Sequence, residues 1–399
     1  MYLKRLSLTN FRNFARLDVD IPRRAVVIVG SNAQGKTSIL EAIYFLAAFA
    51  SFQTHTDRQM VNFIAGRDPL AVGRLIGEYD RGGTSHRIEA RLILEDVGAL
   101  GKRLRKEVLL DGAKKPMSDV IGHFNAVLFV PQMSQVIEGA PDDRRRYINL
   151  ALAQTIPNYA RDLSAYHKIL DQRNALLKML AMRGGDRNQL DVWDEPLVKH
   201  GSQLIYGRIH AIQEMERLAA KNHQRLTRGN EVLRISYQPA YDPIRENHDQ
   251  LTLKIQTDID RTSLSVSGIA ESFRARLKQL RAEEIARGVT TIGPHRDELR
   301  FLANGIDLGD YGSRGQVRTA LLSLKLAEIA WMKERTGQSP VVLLDEVMAE
   351  LDQDRRSDLL DALGEIEQVL FTTTDLKLFH SEFAAKAAVW TVKGGTIQN

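Results

Sequence analysis

Apolar and polar residues alternate at the start of the chain. Tyr2–Leu8 and Leu17–Ile21 read as strands with one buried face, because successive strand side chains point to opposite sides. Ala71–Tyr79, Arg87–Leu94 and Ala126–Val130 read as further strands, and Arg81-Gly82-Gly83 makes a glycine-rich break between two of them. Two runs do not alternate: Ala25–Val29 (AVVIV) and, after Pro340, Val341–Leu344 (VVLL). Short continuous apolar runs of this kind suit strands covered on both faces, as in a parallel sheet.

The texture changes between Pro141 and about Arg228. Leu163, Leu170 and Leu177 recur every seven residues, with Tyr166 and Leu180 interleaved. After the break Arg183-Gly184-Gly185-Asp186, Ile205, Ile212 and Ala219 repeat the spacing with Met215 between them. Two such helices joined by a glycine turn predict an antiparallel helical hairpin, a short coiled coil. Arg173 and Arg208 fall on its core positions, so the expected seam is short and imperfect. From about Thr262 the α/β character returns. The expected organisation is therefore an α/β core in two parts, residues 1–140 and 261–399, with a helical arm at 141–260 inserted between them.

Composition narrows the class. The 399 residues are 43% hydrophobic and 26% charged, as in an ordinary globular chain of two or three domains. No apolar run approaches the roughly 18 residues that span a bilayer, and MYLKRLSLTNF has no signal-peptide core, so no membrane association is expected. Without cysteine there is no disulfide, zinc finger or thiolate cluster, which fits a reducing, cytoplasmic setting. The net charge of +5 is compatible with nucleic-acid binding. Lys102-Arg103-Leu104-Arg105-Lys106, Lys114-Lys115 and Arg144-Arg145-Arg146 are local basic clusters that could equally be solvated surface.

The candidate chemistry lies at the two apolar runs. Gly30-Ser31-Asn32-Ala33-Gln34-Gly35-Lys36-Thr37 follows the first and fits G-x-x-x-x-G-K-[ST]. Its glycines let backbone N–H groups curl around an anion, Lys36 can reach the β- and γ-phosphates, and the Thr37 hydroxyl can ligate Mg²⁺. A helix beginning near Ser38 adds its N-terminal dipole. At the end of the second run, Asp345 is placed to hold Mg²⁺ and Glu346 to polarise a water attacking the γ-phosphate. Ser313-Arg314-Gly315-Gln316 opens another uninterrupted helix. Because one loop already supplies the phosphate contacts, this second phosphate-facing helix start is assigned to the nucleotide of a second copy, the alternative being a simple N-cap at Ser313.

This order of parts resembles the ABC-type ATPases, and the context of the signature resembles their SMC-like branch. One family is matched at many points, the RecF recombination-mediator proteins. The matching stretches are Asn10-Phe11-Arg12-Asn13, Ser51–His55, Asp171–Asn174, Gly293-Pro294-His295-Arg296-Asp297, Ser313–Gln316, Leu324–Glu328 and Glu350–Arg356.

The resemblance implies an ATP-dependent DNA-binding protein of bacterial repair, with weak, DNA-stimulated ATPase activity, acting with RecR, RecO and RecA at gaps. It also implies that Gly30–Ser38 and Arg12 bind ATP, and that Thr37 and Asp345 hold Mg²⁺. Ser313–Gln316 would contact the γ-phosphate on the opposite subunit of an ATP-dependent homodimer. Asp352 matches the D-loop aspartate, and Thr374 ends the threonine triplet at the switch position, where many ABC proteins have histidine. Gln132 suits the Q-loop role in the metal shell, or is a plain polar loop residue. His55 and His295 fit structural hydrogen bonding as well as catalysis. The competing classes are an ABC transporter ATPase subunit and a structural SMC protein. The latter needs coiled coils of hundreds of residues, whereas roughly 90 helical residues at 1.5 Å each give an arm of tens of ångströms.

Overall fold

A computed structural model describes residues 1–54, 56–98, 101–244 and 260–398, so His55 lies outside the described residues. The chain forms two compact units, Met1–Met133 with Lys325–Asn399, and Ser134–Leu324.

The first unit contains two sheets. One is antiparallel and runs through Tyr2–Phe11, Phe14–Asp20, Leu70–Arg81, Thr84–Asp96, Lys102–Leu110 and Ala113–Lys115. Its longest hairpin turns at Gly82 and Gly83, both at positive φ (61° and 85°), a backbone that glycine adopts without strain. The other sheet carries the two continuous apolar runs. Ala25–Val29 pairs in parallel with Val369–Thr373 on one side and Ala388–Lys393 on the other. Val369–Thr373 in turn pairs in parallel with Val341–Asp345, which also pairs with Ala126–Phe129. A single strand thus separates the two runs, and their carboxyl ends lie on the same edge.

The helix Lys36–Ala48 packs against strands of both sheets. Consequently Ile39, Leu40, Ala42, Ile43, Leu46 and Ala47 are all fully buried, as is Glu41, and from Ile39 onward the helix is covered around its whole circumference. Buried Gln368 ties the two sheets together: its Oε1 accepts from Leu3 N (2.8 Å), and its Nε2 donates to the carbonyls of Leu3 (2.8 Å) and Pro22 (3.0 Å).

The basic cluster Lys102–Lys106 proves to be strand. Most of its charges are engaged within the chain: Lys102 Nζ donates to the Gly66 and Asp68 carbonyls, Lys106 pairs with Asp57, and Arg105 and Lys114 both pair with Glu107. Arg144 is likewise committed, bidentate to Glu298 at 2.6 and 2.9 Å. Lys102, Lys106 and Arg144 are thus tied into the fold, whereas Arg103, Arg105 and Lys114 stay exposed, the last two paired with Glu107.

The second unit corrects the expected arm. Tyr159–Arg183 and Asp191–Leu226 do pair, but a third helix, Val266–Arg287, packs against both. With Leu233–Gln238, Glu298–Ala303 and Ile306–Asp307 forming a small antiparallel sheet, residues 261–324 belong to this unit and not to the head as expected. The physical reason is the pair of arginines that seemed to interrupt the seam. Arg173 is fully buried; it donates to Asp194 and Thr290 and forms an ion pair with Glu284. Arg208, also buried, bonds Asp297 (2.7 Å), Asn149 (2.9 Å) and the Pro294 carbonyl. Partners beyond residue 261 thus draw that segment onto the helices.

Candidate nucleotide site

The loop Gly30–Gly35 is shaped by close contacts. A Cβ on Gly30 would lie 2.6 Å from the Val392 carbonyl oxygen, and one on Gly35 would lie 2.5 Å from Asn13 Nδ2. Gly35 also has φ 109°, so a side chain is excluded both sterically and conformationally. Gln34 Oε1 accepts from Gly394 N (2.6 Å), anchoring the loop to the C-terminal hairpin. Arg12, Asn32–Ser38 and Glu346 line one cavity of about 570 Å³, joined by Asn13, Gln53, Gln59, Val61 and Phe63.

Lys36 is almost fully buried, and its ammonium donates to the carbonyls of Gly30 (2.6 Å) and Ser31 (3.3 Å) and pairs with Glu346 at 3.0 Å. Glu346 is held in the left-handed region at φ 54°, its N–H bonded to Thr372 Oγ1 (3.0 Å). A non-glycine residue pays about 1–3 kcal/mol for such a backbone. Here the turn both ends the strand and brings the carboxylate to Lys36.

Asp345 Oδ1 accepts from Thr37 Oγ1 (2.8 Å) and from Thr372 Oγ1 (2.7 Å). Burial raises the Asp345 carboxyl above the usual range, against the lowering effect of those two hydrogen bonds. A buried carboxylate short of counter-charge beside a hydroxyl is a donor set that fits a hard divalent cation such as Mg²⁺.

Other residues take roles closer to scaffolding. Arg12 lines the cavity, but its guanidinium is bidentate to fully buried Glu41 (2.6 and 2.7 Å) and bonds the Gln59 carbonyl (3.0 Å). Gln132 is exposed, in the turn after Ala126–Phe129, whereas Asp345 is bonded to Thr37 and Thr372. Thr374 is exposed as well; the threonine bonded to Asp345 is Thr372, its register partner in the neighbouring strand. Asp352 caps the helix Gln353–Leu363, accepting from Arg355 N (2.9 Å). Glu41 carries no signal in the sequence as a partner of Arg12, and Thr372, part of the threonine triplet, is singled out as the partner of Asp345 only by strand register.

In the second unit, Ser313–Gln316 forms a reciprocal capping box: Gln316 N donates to Ser313 Oγ (3.2 Å) and Ser313 N donates to Gln316 Oε1 (3.0 Å). Gly315 is not required by its own surroundings. A Cβ there would meet nothing nearer than Ser313 Oγ at 3.9 Å, and its φ is not positive.

Residues Gly293–Asp297 prove structural. Gly293, at φ 119°, faces Tyr166, and Asp297 accepts from Arg208, Tyr237 and Ala240 N. His295 lies 2.7 Å from Tyr166 Oη and 3.2 Å from the Thr290 carbonyl. Desolvation lowers its pKa to about 4 from 6.5. The unfolded chain therefore takes up this proton below about 6.5 and the folded one only near 4. The stability contribution is complete above pH 6.5 and drains away as pH falls between those values. His295→Gln is expected to flatten that part of the stability–pH curve, measured by denaturant unfolding at pH 7 and pH 4.5; an unchanged slope would overturn the assignment.

This phosphate loop, with a parallel sheet, an Asp-Glu strand end and a serine-led signature helix, defines an SMC-like ABC-type P-loop ATPase. Residues 2–398 match the family described as RecF/RecN/SMC N terminal domain. Proteins named DNA replication and repair protein RecF are similar over their full length. That of Lacticaseibacillus paracasei is 38% identical over 400 residues, and that of Bacillus subtilis 34%, with 100% of this chain and at least 99% of theirs covered. A solved structure of the recombination mediator protein RecF with ATPγS, in the RecFOR pathway, superposes with TM-score 0.82 at 28% identity, covering 100% of this chain and 97% of that one; the RecF–ATP structure gives 0.81. The chain belongs to the RecF family of DNA replication and repair proteins.

Proposed function

We propose that this protein is an ATP-gated DNA-binding dimer of recombinational repair. The observation that carries the reading is Gly315, a glycine its own fold does not require, at the open start of a capped 23-residue helix. Close backbone approach of an external anion accounts for it. Gly30–Ser38 cradles the phosphates of ATP, while Ser313, Arg314, Gly315 and Gln316 meet the γ-phosphate held by a second copy. Asp352 faces the partner across the interface.

Thr37 and Asp345, with Gln132 at the metal shell's edge, would hold Mg²⁺, which when bound neutralises phosphate charge. A γ-phosphate competes with Glu346 for the Lys36 ammonium, freeing the carboxylate to polarise the attacking water. Thr372 steadies Asp345, and Thr374, two residues further along the chain, takes the switch position. Hydrolysis removes the γ-phosphate contacts and releases the dimer, so ATP acts as a timed latch. DNA is held mainly through its phosphates, with strong salt dependence and little sequence preference. By family, the partners are RecR and, through it, RecO and RecA, in the cytoplasm.

Gly315→Ala separates this reading from an N-cap alone. Alanine in a helix is favoured over glycine by about 0.5–1 kcal/mol, so thermal stability should hold or rise. ATP binding at Gly30–Thr37 should be unchanged. Sedimentation should show that wild type dimerises with ATP and the variant does not. A variant that dimerises like wild type sinks the trans-signature role.

A further inference from the structure

The Gln316 side chain is fixed at both ends, and only one end belongs to the capping box. Its Oε1 accepts from Ser313 N, while its Nε2 donates to Glu231 Oε1 at 2.9 Å. The carboxylate can only accept, so it dictates which way the amide faces. The other oxygen of Glu231, Oε2, lies 3.0 Å from Nε2 of His223, a fully buried residue in the last turn of Asp191–Leu226. His223 Nδ1 lies 3.2 Å from Ser323 Oγ, two turns further along the signature helix, and Asn222 Nδ2 donates to the Ser323 carbonyl (3.4 Å). Glu231 is itself steadied: its N–H donates to Thr227 Oγ1 (3.3 Å), whose hydroxyl caps the His223 carbonyl (2.8 Å). Thus one carboxylate joins the end of the long arm helix to the first turn of the signature helix.

We propose that Glu231 is a positioning residue for the signature: it orients Gln316, and through the capping box Ser313, so that the helix start is presented ready-formed to a nucleotide on a second copy. Glu231 touches no phosphate itself. Because the same carboxylate holds His223, displacement of the arm helix would reach the signature through this link. The inference rests on the trans-signature reading above for its consequence, but not for its local geometry. A hydrogen bond to a charged group contributes about 1.5–3 kcal/mol, which corresponds to roughly a 10- to 100-fold effect on an equilibrium that depends on it.

The test uses the full-length protein. Amide hydrogen exchange of residues 312–318, measured without ATP, should accelerate in Glu231→Ala and stay near wild type in Glu231→Gln, which retains an acceptor for Gln316. With ATP, Glu231→Ala should weaken dimerisation roughly 10- to 100-fold at unchanged ATP affinity of the monomer. Glu231→Gln, which leaves every signature residue in place, should dimerise within a few-fold of wild type. Unchanged exchange in Glu231→Ala overturns the proposal, as does altered exchange with wild-type dimerisation. If Glu231→Ala does not fold, Glu231→Met, which keeps the side-chain length without an acceptor, takes its place in both measurements and the same outcomes decide. Failure of wild type to dimerise with ATP would instead remove the trans-signature reading, leaving the exchange result to judge the local role.

Discussion

Lys36→Met is expected to reduce ATP affinity by about two to four orders of magnitude while leaving the fold intact. The ammonium is the one fixed positive charge within the loop, and its present partners are two carbonyls and Glu346. Charge-assisted hydrogen bonds contribute about 1.5–3 kcal/mol each, so losing two to the β- and γ-phosphates gives that range. Methionine replaces most of the buried stem, and Glu346, still partly exposed, can be hydrated once unpaired. Equilibrium binding of ATP is the direct measurement. A ligand that binds only the folded protein raises its stability by about 2.7 kcal/mol at 100 times Kd, so the variant should also lose its ATP-induced thermal shift. Glu346→Gln is the informative contrast. It retains Lys36 and the loop, so binding and ATP-dependent association should persist, while hydrolysis falls about 10²- to 10⁴-fold, the usual contribution of a positioned base. Full steady-state ATPase in that variant removes Glu346 from the chemistry.

The phosphate loop was legible because its causes are local. Glycines, lysine and threonine must be adjacent to cradle phosphate, and the flanking strand and helix declare themselves by hydrophobic run length. Asp345 was legible for a related reason, as the end of a buried strand. What stayed hidden depends on partners far away in sequence. Thr372 rather than Thr374 meets Asp345 because the parallel register sets Asp345 opposite Thr372, and no single-strand pattern states that register. For Lys102–Lys106 the sequence leaves open a nucleic-acid-binding cluster or solvated surface, because the ion pairs with Asp57 and Glu107 become visible only when the strands pair. The boundary expected at residue 261 failed for the same reason. Helical periodicity marked Arg173 and Arg208 as defects, whereas their acceptors at Asp194, Glu284 and Asp297 turn them into the fastening of three helices.

That fastening yields the largest expected stability effect. Arg208 and Asp297 are each about 1–2% exposed, and each serves several partners. The guanidinium bonds the Asp297 carboxylate, Asn149, the Pro294 carbonyl and Tyr159 Oη, while Asp297 accepts also from Tyr237 and from Ala240 N. Burial disfavours the charged guanidinium, but Tyr159 and Asp297 outweigh it and hold its pKa above the ordinary value. Arg208→Ala strands a buried carboxylate and should cost about 3–5 kcal/mol, the penalty for breaking a buried pair from one side. Arg208→Lys should recover little, because a point charge cannot replace a planar fork reaching four acceptors. The double change Arg208→Met with Asp297→Asn removes both charges together and should cost less than the sum of the single changes, by the coupling expected of residues in direct contact. Denaturant unfolding resolved by hydrogen exchange should place the loss in residues 134–324 and leave Lys36–Ala48 protected. Uniform loss of protection across both units, or an Arg208→Ala cost below about 1 kcal/mol, would show that this pair is not what fastens the unit.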